Sequence, residues 1–213
     1  MNEERITRRL EELRLKLSES GVEVCLVDSA DAIEAMMQDV GKDGSHPVSE
    51  VELDQISNGL AFWLALKKGR HFVACISARF TEITDGGFEE YWRDFCAEKY
   101  PCRSSLVLGV RAEVDALIHG RVVYFGGVQV AENVQGNISR LRAFIEFAKL
   151  QAHSMWQWDT AFTIINAKHR PLARVYRFTD LIEGAVCWSD PPPKGLSNDQ
   201  IFLTQGSMTV LDG

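Results

Sequence analysis

The run from Gly120 to Asn166 restricts the fold more than any other part of the chain. It reads GRVVYFGGVQV, then AENVQGN, then ISRLRAFIEFAKLQAHSMW, then TAFTIIN within its closing turn. The first piece is rich in β-branched and aromatic residues and reads as a strand. The third places Ile138, Leu141, Ile145, Ala148 and Leu150 on or near one face, the strongest helical periodicity in the chain. The fourth is another strand. Around this unit lie further strands at VEVCLVDS, at SSLVLGV, at LIEGAVCWS and at IFLTQGSMTVL, and a hairpin, AFWLALKKGRHFVACISARFTEI, turning at Lys67 to Arg70. Helices are expected at ADAIEAMMQDVG, at EVELDQISNG with Ser49 and Glu52 at capping-box spacing, and at PLARVYRF. The order of elements is that of an α+β or mixed α/β protein built on one central sheet.

Two regions look like additions to that plan. Residues 1–20 form an amphipathic helix whose stripe is Ile6, Leu10, Leu13 and Leu17. The stripe either packs on the domain or serves as a surface for docking a partner or pairing two copies into a homodimer. Residues 85–118 hold a glycine-bounded helical insert, DGGFEEYWRDFCAEKYP, in which Phe88, Trp92 and Phe95 recur at helical spacing and either line a pocket on the substrate side or make local core. Residues 21–213 read as a single domain, since no composition shift divides them and 213 residues suffice for one sizeable core.

Composition narrows the function. A net charge of −7 argues against a nucleic-acid partner. No apolar run approaches the roughly 20 residues that cross a bilayer, and the charged N-terminus lacks the apolar stretch of a secretory signal, so no membrane partner and a cytoplasmic location are expected. The five cysteines and five histidines are scattered without metal-ligand spacing, so no metal is expected. Cys25, Cys75 and Cys187 lie in apolar strands, where a thiol is an inert small hydrophobe rather than a nucleophile. Neither GxxxxGK[ST] nor GxGxxG occurs, which removes the common nucleotide loops.

What remains distinctive is the pair Gly126-Gly127 in the middle of a strand. Glycine there weakens a sheet by about 1 kcal/mol, and it commonly marks a bulge or a close approach to the backbone. A bulge leaves amide N–H groups able to bind a ligand carbonyl. The loop after it contains Gln135, Gly136 and Asn137 and opens the long helix, whose N-terminus suits an anionic phosphate.

Taken together, the glycine-bearing strand VVYFGGVQV, the loop QGNISR, the strand TAFTIIN and the segment ARVY resemble the GCN5-related N-acetyltransferase (GNAT) superfamily. The resemblance covers about Val22 to Leu211. It implies a GNAT-like fold: a central mixed, mostly antiparallel sheet, splayed between the family's fourth and fifth strands, with helices on both faces. It implies acetyl-CoA, or another acyl-CoA, as co-substrate, and direct transfer of the acyl group to a small-molecule or peptide amine. By the same resemblance Val128 and Val130 supply backbone to the pantetheine arm and thioester. Gln135, Gly136, Asn137, Ile138, Ser139 and Arg140 form the pyrophosphate loop, and Asn166 contacts the pantetheine. Tyr176 is the acid for the leaving thiolate and Glu82 the general base, with His119 as a second option. The chain departs from the family's loop pattern, Q/R-x-x-G-x-G/A, at Ile138 and Arg140. The alternative function is therefore a non-catalytic GNAT-fold protein that binds a ligand or a partner.

Overall fold

The computed structural model describes residues 3–42, 47–84, 86–101, 106–189, 192 and 196–207. Cys102, most of the DPPPKG stretch and the MTVL end of the last expected strand lie outside the described residues. Helix α1 (Glu3–Glu19) leads into strand β1 (Glu23–Val27), helices α2 (Ala30–Asp39) and α3 (Leu53–Ser57), and the hairpin of β2 (Ala61–Lys68) and β3 (His71–Ile83). Then come α4 (Gly87–Lys99), β4 (Val107–Val110), α5 (Ala112–Leu117) and β5 (Gly120–Val130). Helix α6 (Ile138–Trp156), β6 (Thr160–Ile165), α7 (Ala173–Tyr176), β7 (Asp180–Glu183), β8 (Val186–Trp188) and β9 (Ile201–Gly206) complete the order.

Among the described residues, seven strands form one open sheet in the order β1-β2-β3-β5-β6-β9-β7, and β4 pairs with β8 separately. The pairs β1–β2, β2–β3, β6–β9 and β7–β9 are antiparallel. The β5–β6 pair is parallel, in register at Val122–Thr160, Val123–Ala161 and Tyr124–Phe162. This is the mixed, mostly antiparallel sheet that the family resemblance implies. Contacts divide the chain into two compact units: Met1–Ser45, Ser49–Phe80 and Phe125–Gln157 make the first, and His46–Val48, Thr81–Tyr124 and Trp158–Gly213 the second.

In the first unit α1 packs on α6. Ile6, Leu13 and Leu17 of its stripe are buried, so the stripe is covered within the chain. Arg9 fixes the crossing: its Nε and Nη2 both reach Glu146 Oε1 at 2.7 Å, while Nη1 reaches Glu12 at 2.9 Å. These carboxylates hold the guanidinium pKa above its ordinary value. From Ala143 onward α6 is buried on most sides, including Lys149 and His153. Ile138, read from the sequence as part of the apolar face, is 53% exposed because it sits in the first turn, ahead of the packed stretch. Trp156 ends the helix stacked between Phe62 and Phe80, with ring centroids 5.3 and 5.8 Å away, and its indole N–H donates to Gly59 O at 2.7 Å.

The second unit is organised by aromatic packing. Phe88 and Trp92 are fully buried and Phe95 nearly so, which makes the insert helix α4 a core element. Phe88 and Trp92 each meet the Phe162–Phe202 stack edge-on, the favourable arrangement of ring quadrupoles. The polar segment after β4, within the expected helical insert, is helix α5. Its Asp115 accepts the Glu89 N–H at 2.8 Å, capping α4, whose N-cap Gly86 has no side chain to do so. Glu89 accepts from Arg93 and from the Val110 N–H, and Arg93 in turn donates to the Val107 and Leu108 carbonyls. That network ties β4 to α4, and the Arg93 guanidinium keeps the Glu89 pKa below its ordinary value.

Two local expectations are corrected. LIEGAVCWS is not one strand: Gly184 at φ 57° turns the chain, so β7 pairs with β9 while β8 pairs with β4. The capping box lies at Glu52 and Gln55, not at Ser49 and Glu52. Ser49 closes a preceding 3-10 turn, and the Glu52 N–H donates to Gln55 Oε1 at 3.2 Å. Asp115→Ala is expected to cost about 1 kcal/mol, the worth of a helix cap, whereas Trp92→Ala is expected to cost about 3–5 kcal/mol. Urea denaturation of both variants checks that ordering.

Candidate active site

The first unit holds the strand end, the loop and the helix start that the sequence singled out. Gly127 adopts φ +63°, a conformation strained for any residue with a side chain. A Cβ built there would stand 2.7 Å from the Trp63 ring and 2.9 Å from Lys42 Nζ. What approaches the backbone at this glycine is therefore the protein's own Trp63 and Lys42. Lys42 Nζ donates to Gly127 O at 3.0 Å and lies 5.1 Å from the Trp63 ring centroid. Cys75 Sγ donates to the same carbonyl at 3.5 Å. Burial lowers the Lys42 pKa and pushes the Cys75 thiol up to about 11, so the thiol is a proton donor at neutral pH. Val128 and Val130 follow directly, half-buried at the end of β5.

Beyond them the chain makes one 3-10 turn, Glu132–Val134, and enters the loop. Gln135 is exposed and its Nε2 donates back to Val130 O at 3.3 Å. Gly136 has φ +93°. Asn137 is the N-cap of α6, its Oδ1 accepting the Arg140 N–H at 2.9 Å. One of the helix's orphan donors is thus already satisfied by the chain itself. Ile138 and Ser139 are exposed and Arg140 half-buried. A cavity of about 120 Å³ opens here, lined by Asn137, Ser139, Arg140 and Ala143 from the α6 side and by Lys16, Leu17 and Ser20 from the end of α1. Two cationic side chains, two hydroxyls and a helix N-terminus line this recess, a set of groups chemically suited to a phosphate.

The second unit holds the remaining candidates. Tyr176 closes α7 and is 8% exposed, and burial pushes its pKa up to about 12. Asn166 caps the 3-10 helix Ala167–Leu172, its Oδ1 accepting the Lys168 N–H at 3.0 Å, so its side chain is engaged in turn formation. Glu82, near the end of β3, and His119, just before β5, are both exposed.

Sequence reasoning missed the Lys42–Trp63–Cys75 cluster, because its members lie far from Gly127 in the chain and only folding brings them there. The signal that could have found it is that paired glycine itself, since a crowded backbone implies large neighbours. Cys187 also differs from expectation: it is exposed, on the outward face of the short strand β8. Among the described residues no group of three or more His, Cys, Asp or Glu side chains is placed to hold a metal ion, and no helix is long and apolar enough to cross a membrane.

No protein-family model and no curated protein matches the chain in sequence. Solved structures do match in fold. The ribosomal-protein-S5-alanine acetyltransferase of Vibrio fischeri aligns with a TM-score of 0.51 at 12% identity, over 87% of this chain and 93% of that one. Arabidopsis thaliana NAA60, solved in complex with acetyl-CoA, aligns with a TM-score of 0.50 at 12% identity, over 90% of this chain and 99% of that one. The fold is thus that of the GCN5-related N-acetyltransferases, carried on a strongly divergent sequence.

Gly127→Ala is expected to destabilise the protein by about 1–3 kcal/mol, because the added methyl meets an indole ring that is itself buried. Thermal and urea unfolding test this, and an unchanged stability would show that the backbone at Gly127 is not crowded.

Proposed function

We propose that the chain is an acyl-CoA-dependent N-acyltransferase that moves an acetyl or other acyl group from coenzyme A to an amine. The observation that carries this reading is the recess at the start of α6, where Lys16, Ser139 and Arg140 meet at the end of the loop that follows β5. Fold alone would not carry it, since one fold hosts many functions. In this reading the anionic pyrophosphate lies at the loop Gln135–Arg140. Arg140, which departs from the small residue of the family pattern, supplies charge in place of close backbone approach. The thioester then lies along the strand end, with a backbone N–H of Val128 or Val130 polarising its carbonyl. Asn166 holds the pantetheine arm.

In the transfer step the neutral amine nitrogen attacks the thioester carbonyl carbon, the C–S bond breaks, and coenzyme A departs as the thiolate. Glu82 takes the amine proton, directly or through water, with His119 as the second candidate. Tyr176 donates a hydrogen to the departing sulfur. Its raised pKa keeps the phenol protonated across the physiological range, as a donor requires. The acceptor is a small-molecule or peptide amine, and the acidic protein attracts cationic amines to its surface. The protein works in the cytoplasm, as one domain, alone or as a homodimer.

A second reading, a GNAT-fold protein without catalysis, is favoured by one observation: the Asn137 side chain already occupies a helix N-terminal N–H that a phosphate would use. The two readings separate on the release of coenzyme A thiol from acetyl-CoA in a screen of amines. The transferase reading predicts amine-dependent release that falls by tenfold or more in Tyr176→Phe. Release independent of every amine class, or a Tyr176→Phe variant with full activity, would contradict it or the role of Tyr176 respectively. Because an acid is active while protonated, raising its pKa moves the alkaline limit upward. Activity dependent on Tyr176 is therefore expected to persist past pH 10, where an ordinary tyrosine ionises, and to fail towards pH 12. Arg140→Ala is expected to weaken acetyl-CoA binding about tenfold or more, the scale of a hydrogen bond to a charged group.

A further inference from the structure

The lysine at Gly127 lies outside the residues assigned so far, and its geometry bears on the proposed thioester site. Lys42 follows the Gly41 turn that ends α2, and its side chain runs over the face of Trp63 to reach β5. Its Nζ donates to the Gly127 carbonyl at 3.0 Å, and the Cys75 thiol donates to the same oxygen from β3. A carbonyl oxygen has two lone pairs, so both donors can be accepted at once. Gly127 C=O and Val128 N–H belong to a single peptide unit. In a planar trans peptide they are joined by resonance and point in opposite directions. Electron density drawn towards the oxygen by a cation therefore leaves the N–H more positive and a better donor, the cooperative polarisation of chained hydrogen bonds.

Resting on the acyltransferase reading above, we propose that Lys42 is a positioning residue for acyl transfer: it polarises the Gly127–Val128 peptide and fixes its orientation, so that the Val128 N–H binds the thioester carbonyl more strongly as negative charge develops on it. Lys42 does not touch the reacting atoms. It acts through the peptide, from the edge opposite the thioester. Trp63 and the φ of Gly127 hold the arrangement, since the indole leaves no room for a side chain at residue 127 and guides the lysine stem to the oxygen. Cys75 contributes the second, weaker donor. This accounts for a feature that packing alone leaves idle: a half-buried ammonium group spent on a backbone carbonyl rather than on a carboxylate.

The test uses acetyl-CoA labelled with carbon-13 at the acetyl carbonyl, bound to the full chain, and reads the thioester stretch by isotope-edited infrared spectroscopy. Three variants are compared with the wild type. Lys42→Met keeps the apolar stem and removes the donor, Lys42→Gln keeps a neutral donor, and Lys42→Arg keeps the charge. The proposal predicts a stretch shifted to lower frequency in the wild type than in solution. Most of that shift should be lost in Lys42→Met, part of it in Lys42→Gln, and little in Lys42→Arg. Spontaneous hydrolysis of the bound thioester should fall about two- to eightfold in Lys42→Met, the share that 10–30% cooperativity takes of a donor worth 10²–10³ in rate. Should Lys42→Met fail to fold, the comparison of Lys42→Gln with Lys42→Arg decides the matter. An identical carbonyl stretch in the folded variants, with acetyl-CoA still bound, would overturn the role of Lys42 alone. Absence of acetyl-CoA binding to the wild type would overturn the acyltransferase reading beneath it.

Discussion

The crowding at Gly127 is the constraint from which the rest of the first unit follows. Trp63, buried in the cluster of Val27, Met36, Val40, Ala65, Phe72 and Cys75, fills the volume where a side chain at residue 127 would lie. Only a residue without a Cβ passes, and it passes at positive φ. Its carbonyl accepts from Lys42 and Cys75. The chain then runs through Gln135 and Asn137 into α6, whose burial from Ala143 to Trp156 fixes where the helix begins. A packing contact thus fixes the residue type within β5, and the buried body of α6 fixes where the loop after that strand ends.

The second unit uses a different device. Its centre is a set of stacked and edge-on rings from α4, β6 and β9, with Trp188 of β8 meeting Trp92 at 6.5 Å. Such rings contribute beyond their buried area through quadrupole geometry, by about 0.5–1.5 kcal/mol a pair. The polar bonds at the edge of that core, from Asp115 to the start of α4 and from Arg93 to β4, select one arrangement of an insert that apolar packing alone would leave free to slide. Tyr176, the proposed donor to the leaving group, is buried in this unit, and burial is the cause of its raised pKa.

How much of this was legible beforehand depended on the range of the interactions involved. Helix α6, the β2–β3 hairpin and the aromatic stripe of α4 follow from local periodicity, and each was readable residue by residue. A single central sheet was readable from the order of elements, and its mixed, mostly antiparallel pairing only from the family resemblance. Helix α5 was not, because its six residues carry little periodic signal and its capping role depends on a contact with α4. The break between β7 and β8 turned on the φ of Gly184, and a lone glycine inside an apolar run gives no sign of which partner each half will choose. For the candidate site, Gly127 was legible as an anomaly and its cause was not. Trp63 and Cys75 share the hairpin that was read, but nothing in the local context of Lys42 or of that hairpin marks them as neighbours of Gly127. Asn166 and Asn137 show the opposite case: the resemblance implies a ligand contact for each, and in the structure the side chain of each makes a local cap.

The central claim is that the recess at the start of α6 binds the phosphates of an acyl-coenzyme A. Isothermal titration of acetyl-CoA into the purified full chain addresses it most directly. The account predicts saturable binding of one molecule per chain with a dissociation constant of about 1 μM to 1 mM, the range in which enzymes hold their substrates, and weakening as salt screens Lys16 and Arg140. No heat of binding, and no rise in melting temperature at ligand concentrations far above that range, would contradict it and leave the fold without its proposed chemistry.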